Sequence, residues 1–404
     1  MKQRFSIDVE FIILLLFAIL PVVDSINGIF ITAGLPSIGT VYKMLVMGVL
    51  FLLVVRSGKI SPALWATAIG AVAYIVISVS INVFVLDGSL ITMDFPIKLA
   101  FNALQMVLLL NCYQTGYITG RTLDRIFYIS TWLMSALILI PYVLGLGNTI
   151  YSGGIGYKGF FFSNNELSVA LLILFYYSLY RTTMKLSVLN VIQLGSIAVC
   201  VLLLNTKSGM IACALGVVLF VIEYLRKPGA RFKGVFVALI VAALLLAKDF
   251  IFSQLSDFIG RQLYLHRLYG GSFLDTLVSG RTFLLEKAWE TFSADEHFLL
   301  RFIIGNGFCS TSLVEMDFID LFFYLGTLGV AAVAVALVIV FCKSVKNFKK
   351  DGTWVRPFGY LLIIGFAFLA GHTLFMATSG CYFVLYLCFC LTYKPEEERI
   401  ANGH

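Results

Sequence analysis

Charged residues are scarce in this 404-residue chain: they make up 13% of it, against 60% hydrophobic side chains. Soluble domains carry about a quarter charged residues, so the shortage points to a membrane protein. No polar tract is long enough to form a separate large soluble domain. Cysteine pairs with metal-ligand spacing, such as CxxC, are absent, which argues against a structural zinc and a disulfide framework. Cys200, Cys213, Cys388 and Cys390 fall in apolar runs as packing residues, and only Cys309 lies well inside a polar stretch. No internal repeat is visible. The glycine-rich "GGIGYKGF" lacks the strand–helix context of a phosphate loop.

Apolar runs able to cross about 30 Å of hydrocarbon recur from end to end. About twelve are expected, near 9–25, 38–55, 61–85, 91–112, 124–145, 164–180, 187–205, 208–225, 233–252, 317–342, 355–375 and 378–393. The first follows "MKQRF" without a small-x-small cleavage site, so it is expected to stay as an uncleaved span. The fourth is interrupted at its start by Asp94, Pro96 and Lys98. Basic residues cluster in alternate connections: Lys2/Arg4, Arg56/Lys59, Arg121/Arg125, Arg181/Lys185, Arg226–Lys233, Lys343–Arg356 and Lys394/Arg399. The positive-inside rule places these connections and both termini in the cytoplasm. The formal charge of +7 then reflects orientation and gives no reason to expect nucleic acid.

This divides the chain into helices one to nine (1–252), a long outward loop (253–316), and helices ten to twelve with a tail (317–404). A loop of this length predicts function. Within it, "SGRTFLLEKAWETF" has Ser279 as a candidate cap and Phe283, Leu284, Ala288, Trp289 and Phe292 as an apolar face. Arg261, Arg267 and Arg281 suit a diphosphate, because a guanidinium grips phosphate oxygens through a planar fork. Arg281 is the leading candidate, since it stands at an expected helix start, where free N–H groups add to an anion site. The same reasoning leaves ordinary solvated charge open for each of them.

Four motifs in order resemble the O-antigen ligase and O-antigen (Wzy-type) polymerase superfamily of bacterial membrane glycosyltransferases. They are "GFFFSNNELSVALLI", "LLLNTKSGMIACALG", "SGRTFLLEKAWETF" with "IIGNGF", and "VEMDFIDLFFYLGTLG". The ligase branch has His-Asn-x9-Gly at the last of these, with the histidine implicated in acceptor activation. Here Glu315 holds that spacing before Gly326 and Met316 replaces Asn, which tilts the resemblance towards the polymerases. In the second motif Gly209 stands where arginine is common, and Lys207 precedes Ser208.

The resemblance implies an all-α, GT-C-like fold and a glycosyltransferase on the outer face of the cytoplasmic membrane. Its donor would be a polyprenyl-diphosphate-linked glycan, its acceptor a second lipid-linked oligosaccharide, with no metal and no other cofactor. A chain-length regulator and a flippase are the implied protein partners. Glu315 and Asp317 are then the candidate bases, and Arg281, Arg261, Arg267 and Lys207 the diphosphate ligands. Asn164, Asn165, His266, His372 and Asp320 are weaker substrate-contact candidates, with helix capping competing for the asparagines and a helix–helix hydrogen bond for His372. A ligase-type transfer to another acceptor and a transporter or flippase are the alternatives.

Overall fold

The computed structural model describes residues 2–86, 94–150, 155–226, 248–307, 314–369 and 371–392. Within them the fold is helical throughout, apart from a two-stranded antiparallel ribbon, β1 (Asn148–Thr149) and β2 (Tyr157–Gly159). Helices α1 (Lys2–Ala18) and α2 (Leu20–Thr32) meet at a 41° bend, where Pro21 lacks the N–H that a continuous helix would use. Then come α3 (Ile38–Ser57), α4 (Pro62–Phe84), α5 (Asp94–Gln114), α6 (Gly120–Val143), α7 (Asn164–Met184), α8 (Val188–Leu204) and α9 (Lys207–Arg226). The expected loop carries α10 (Lys248–Leu268), α11 (Phe273–Leu277), α12 (Arg281–Ser293) and α13 (Phe298–Ile304). Helices α14 (Asp317–Asp351), α15 (Val355–Leu369) and α16 (Ala377–Thr392) complete the fold.

The protein is a polytopic helical membrane protein. Among the described residues six helices (α3, α4, α6, α7, α9 and α14) are long and apolar enough to cross a membrane, and the bent α1–α2 pair makes seven. Three more of the twelve expected spans appear as the shorter apolar helices α8, α15 and α16. Helix α5, whose start carries Asp94 and Lys98, is long enough at 21 residues but not apolar enough to count among them. Most of the expected span at 233–252 lies outside the described residues. Its proposed boundary with the loop, at 252/253, falls inside the continuous helix α10.

Helix α7 is central, with every residue from Leu167 to Tyr180 buried, as an apolar sequence without a polar face requires. Hydrogen bonds show which connections share an end of the bundle. Thr119 and Thr122 donate to Glu10, Arg181 to Asp124, the Trp354 N–H to Glu223, the Ser61 N–H to Asn111, and Tyr113 to the Thr392 carbonyl. These are the connections in which the basic residues cluster, here gathered at one end.

Helix α14 is broken at Gly326, whose φ of 63° and ψ of −170° suit only glycine. A Cβ there would collide with the Ile303 carbonyl. The break frees carbonyls, which are costly to leave unpaired in a membrane interior. Those of Phe323 and Tyr324 accept from the Asn306 and Gly307 N–H groups (2.8 and 3.2 Å), and that of Leu325 accepts from Tyr74 Oη (2.6 Å). On α4, Ser78 and Asn82 serve the Ile304 and Gly305 carbonyls in turn (2.8 and 3.0 Å). The "IIGNG" and "GTLG" motifs therefore form one packed unit.

Candidate functional site

The loop helices are fixed first by an apolar cluster. Ala288 and Phe292 of α12 pack with Val314, Met316 and Phe323, joined by Leu284, Leu285, Phe298 and Phe302. Burial of each large side chain stabilises by roughly 1.5–3 kcal/mol, enough to hold α12 against the start of α14. Phe283, expected on the apolar face, is instead exposed. The cap of α12 is Gly280, with φ of 76°, and not Ser279, whose Oγ accepts from Lys207 Nζ at 3.1 Å.

This docking places Arg281 at the wall of a 120 Å³ cavity shared with Asn165, Thr206, Lys207, Arg261 and Phe366. Each cation arrives from a different element. Helix α8 stops at Asn205 in the left-handed conformation, and α9 restarts at Lys207, so the turn points Lys207 at the loop. Its Nζ also donates to the Thr276 carbonyl. Arg261 Nη1 donates to the Asn205 carbonyl (3.2 Å), and Arg281 Nη1 to that of Val278 (3.2 Å). Backbone carbonyls fix the two guanidinium groups at the cavity wall, where an entering anion would meet three cations.

The acids of "VEMDFID" take three different roles. Asp317 is fully buried: its carboxylate accepts from the Thr373 N–H (2.9 Å), Thr373 Oγ1 (2.6 Å) and the Leu374 N–H (2.7 Å). Such charge-assisted bonds stabilise by roughly 1.5–3 kcal/mol each, so Asp317 ties α14 to the α15–α16 turn. This differs from the accessible base that was expected, because the side chain is buried and Oδ2 already accepts from both Thr373 and Leu374. Asp320 accepts from the N–H groups of Val314 (2.8 Å) and Met316 (2.9 Å), one on each side of Glu315. It therefore holds the turn in which Glu315 sits at a φ of 60°. Glu315 alone is open: its side chain is 55% exposed, and Oε2 lies 3.7 Å from Arg281 Nη2.

Gly371 marks the meeting point. A Cβ on it would lie 2.9 Å from Arg281 Nη2, 3.1 Å from Asn165 Nδ2 and 3.2 Å from the Glu315 carbonyl. Next to it His372 Nε2 stands 3.6 Å from Asp320 Oδ2.

A cleft of 510 Å³ with an almost wholly apolar lining runs beside this centre, between α12, α14 and α15. Leu285 and Trp289 line it, one and two turns beyond Arg281 on the same face of α12. Phe318, Phe322 and Phe368 line the opposite walls, while Phe366 of the same α15 reaches the cationic cavity.

The remaining predicted residues stand apart. Arg267 is exposed and does not line the cavity. His266 Nδ1 lies 3.1 Å from Thr276 Oγ1, in the support of the loop. Asn164 follows the true cap, Ser163, which accepts from the Glu166 N–H (3.4 Å), and only Asn165 reaches the cavity. Cys309 lies outside the described residues. Lys158, another cation at this end, donates to the Phe162 carbonyl (2.8 Å), and burial holds its ammonium below the usual lysine range.

Sequence reasoning missed Asp24 and Lys43, which form a buried ion pair at 2.7 Å. Their signal was available: each is a lone charge inside an apolar span. No family model matches the chain, and no curated protein matches it in sequence.

Proposed function

We propose that the protein polymerises lipid-linked oligosaccharide repeat units, transferring glycan from a polyprenyl diphosphate on the outer face of the cytoplasmic membrane. The observation that carries this reading is the juxtaposition of a three-cation cavity with a long apolar cleft along the Arg281–Leu285–Trp289 face. A ligand with a phosphate head and a long apolar tail fits both at once. The proposed topology has about twelve spans, both termini inside, and α10–α13 outside.

In the proposed step an acceptor hydroxyl attacks the anomeric carbon of the donor. The anomeric C–O bond breaks, and its electron pair leaves on the diphosphate. Arg281, Arg261 and Lys207 stabilise that charge, as preorganised donors do in low-dielectric sites. Glu315 takes the hydroxyl proton. Its ion pair with Arg281 is long and partly exposed, so entry of the diphosphate exchanges a weak partner for a stronger one.

A transporter reading draws on the two broken helices, at Pro21 and Gly326, since interrupted spans build many transport sites. One experiment separates the readings. Protein purified in detergent and given only lipid-linked repeat units is expected to produce a ladder of longer glycans. Folded protein that gives no extension, but moves the substrate across vesicles, overturns the polymerase. A gene deletion that leaves long chains on the carrier, with none attached to the final acceptor, indicates a ligase.

A further inference from the structure

Next to the α7 amino terminus lies a second cavity, of 230 Å³, lined from α2, α3, α5, α6, α7 and α16. One water occupies ~10–15 Å³ on such a measure, so the space suits a polyatomic ligand. Its walls differ in kind from those of the cationic site. Asp24 and Glu166 face Lys43 and Lys98, so the formal charges cancel, and Asn27, Ser37, Thr40 and Thr378 add neutral polar groups.

The charged groups are held firmly. Lys43 Nζ donates to Asp24 Oδ1 (2.7 Å) and Thr378 Oγ1 (2.9 Å), and Glu166 Oε2 accepts from the Thr378 N–H (2.9 Å). One atom is left over: Asp24 Oδ2 is buried without a hydrogen-bond partner. A buried carboxylate oxygen left unpaired is costly, and a donor from a ligand would relieve it. Phe161 and Phe162 supply aromatic surface, and the latter is exposed. Gly28 lets α2 approach this segment, since a Cβ there would collide with the Phe160 carbonyl. A wall with no net charge, fixed polar groups of both kinds and an aromatic edge suits a neutral polyhydroxylated molecule better than an ion.

We infer that this cavity binds a sugar unit of the glycan, with Asp24 Oδ2 accepting from one of its hydroxyls. The identification of that glycan as a lipid-linked repeat rests on the function proposed above. The cavity lies one residue along α7 from the cationic site, since Glu166 lines one and Asn165 the other. A single amphiphilic substrate, or a donor and an acceptor together, can thus occupy both.

The test uses full-length protein in lipid nanodiscs and isothermal titration with repeat-unit oligosaccharide released from the host's carrier lipid, hence without diphosphate. Wild type is expected to bind it, and Thr40→Trp, which fills the cavity from its exposed rim, is expected to weaken binding at least tenfold. The double variant Asp24→Asn with Lys43→Gln removes the buried pair together, leaves no lone charge, and is expected to do the same. Retained binding of polyprenyl diphosphate within twofold shows that each variant is folded. Unchanged oligosaccharide binding in both folded variants overturns the inference. So does absent binding to wild type that still takes the intact lipid-linked repeat, and that result leaves the polymerase reading standing. Oligosaccharide binding lost in both variants, in a protein that never extends glycan, keeps the sugar site and discards the polymerase.

Discussion

Arginines at the two ends of the bundle are used differently. At the basic end Arg356 is buried with its guanidinium 4.8 Å from the Tyr180 ring centroid and 5.3 Å from that of Phe389, and donates to Tyr180 Oη. Nearby Arg181 lies over the Tyr128 ring and donates to Asp124 Oδ2 (2.7 Å) and Tyr177 Oη (2.9 Å). Carboxylate, phenol and π face compensate these charges, which makes them part of the packing. At the opposite end Arg261 and Arg281 donate to backbone carbonyls, the half-exposed Glu315 carboxylate stands 3.7 Å from Arg281, and both arginines line a cavity with Lys207. Under the proposed function, the degree of burial and enclosure around a cation, more than the number of cations, separates the two groups.

Breaking this contrast should give the largest effect at Arg281. Arg281→Ala is expected to lower glycan extension by about 10²–10³-fold with normal expression, and Arg281→Lys to recover little, because an ammonium lacks the planar fork. Arg356→Ala should do the reverse, lowering expression and thermal stability of the membrane-extracted protein, since it removes a cation from a filled aromatic site. Glu315→Gln should reduce turnover by about 10²-fold or more, the usual contribution of a general base. Wild-type-like extension by that variant removes Glu315 from the mechanism.

A smaller effect is expected at Asp320. Asp320→Asn keeps the shape but loses one of the two N–H acceptors that hold the Glu315 turn. Turnover should drop about tenfold, equivalent to ~1.4 kcal/mol, with little change in KM. Gly326→Ala should lower Tm by roughly 3–10 °C, because the position needs a glycine-only conformation. The smallest effect belongs to Arg267→Ala, which should leave extension within about twofold, as expected of an exposed loop charge.

Much of the contrast was legible in the sequence. Alternating basic connections mark loops that gather at one end, and the cationic character of Arg281, Arg261 and Lys207, which share a cavity, is visible in the sequence. The three acids near residue 315 were visible too, but their roles were not. Asp317 and Asp320 differ in which groups reach them, and Thr373, which donates to Asp317 through its N–H and its hydroxyl, is distant in sequence. Arg267 looked equivalent to Arg261, because a helix face cannot be chosen without knowing what packs on α10. Of the expected spans, that at 355–375 is cut short because α15 ends at Leu369, and most of that at 233–252 lies outside the described residues. The polar cavity was missed because Asp24, Lys43 and Glu166 come from three separate spans, each with a bland local reading.

The most direct test compares the affinity of purified protein for polyprenyl diphosphate and for the uncharged polyprenol of equal length. Both can enter the apolar cleft, but only one can engage the cationic cavity. The diphosphate is predicted to bind at least tenfold more tightly, and Arg281→Ala with Arg261→Ala should abolish that preference. Equal affinities in the wild type, or a preference that survives the double substitution, would contradict the account.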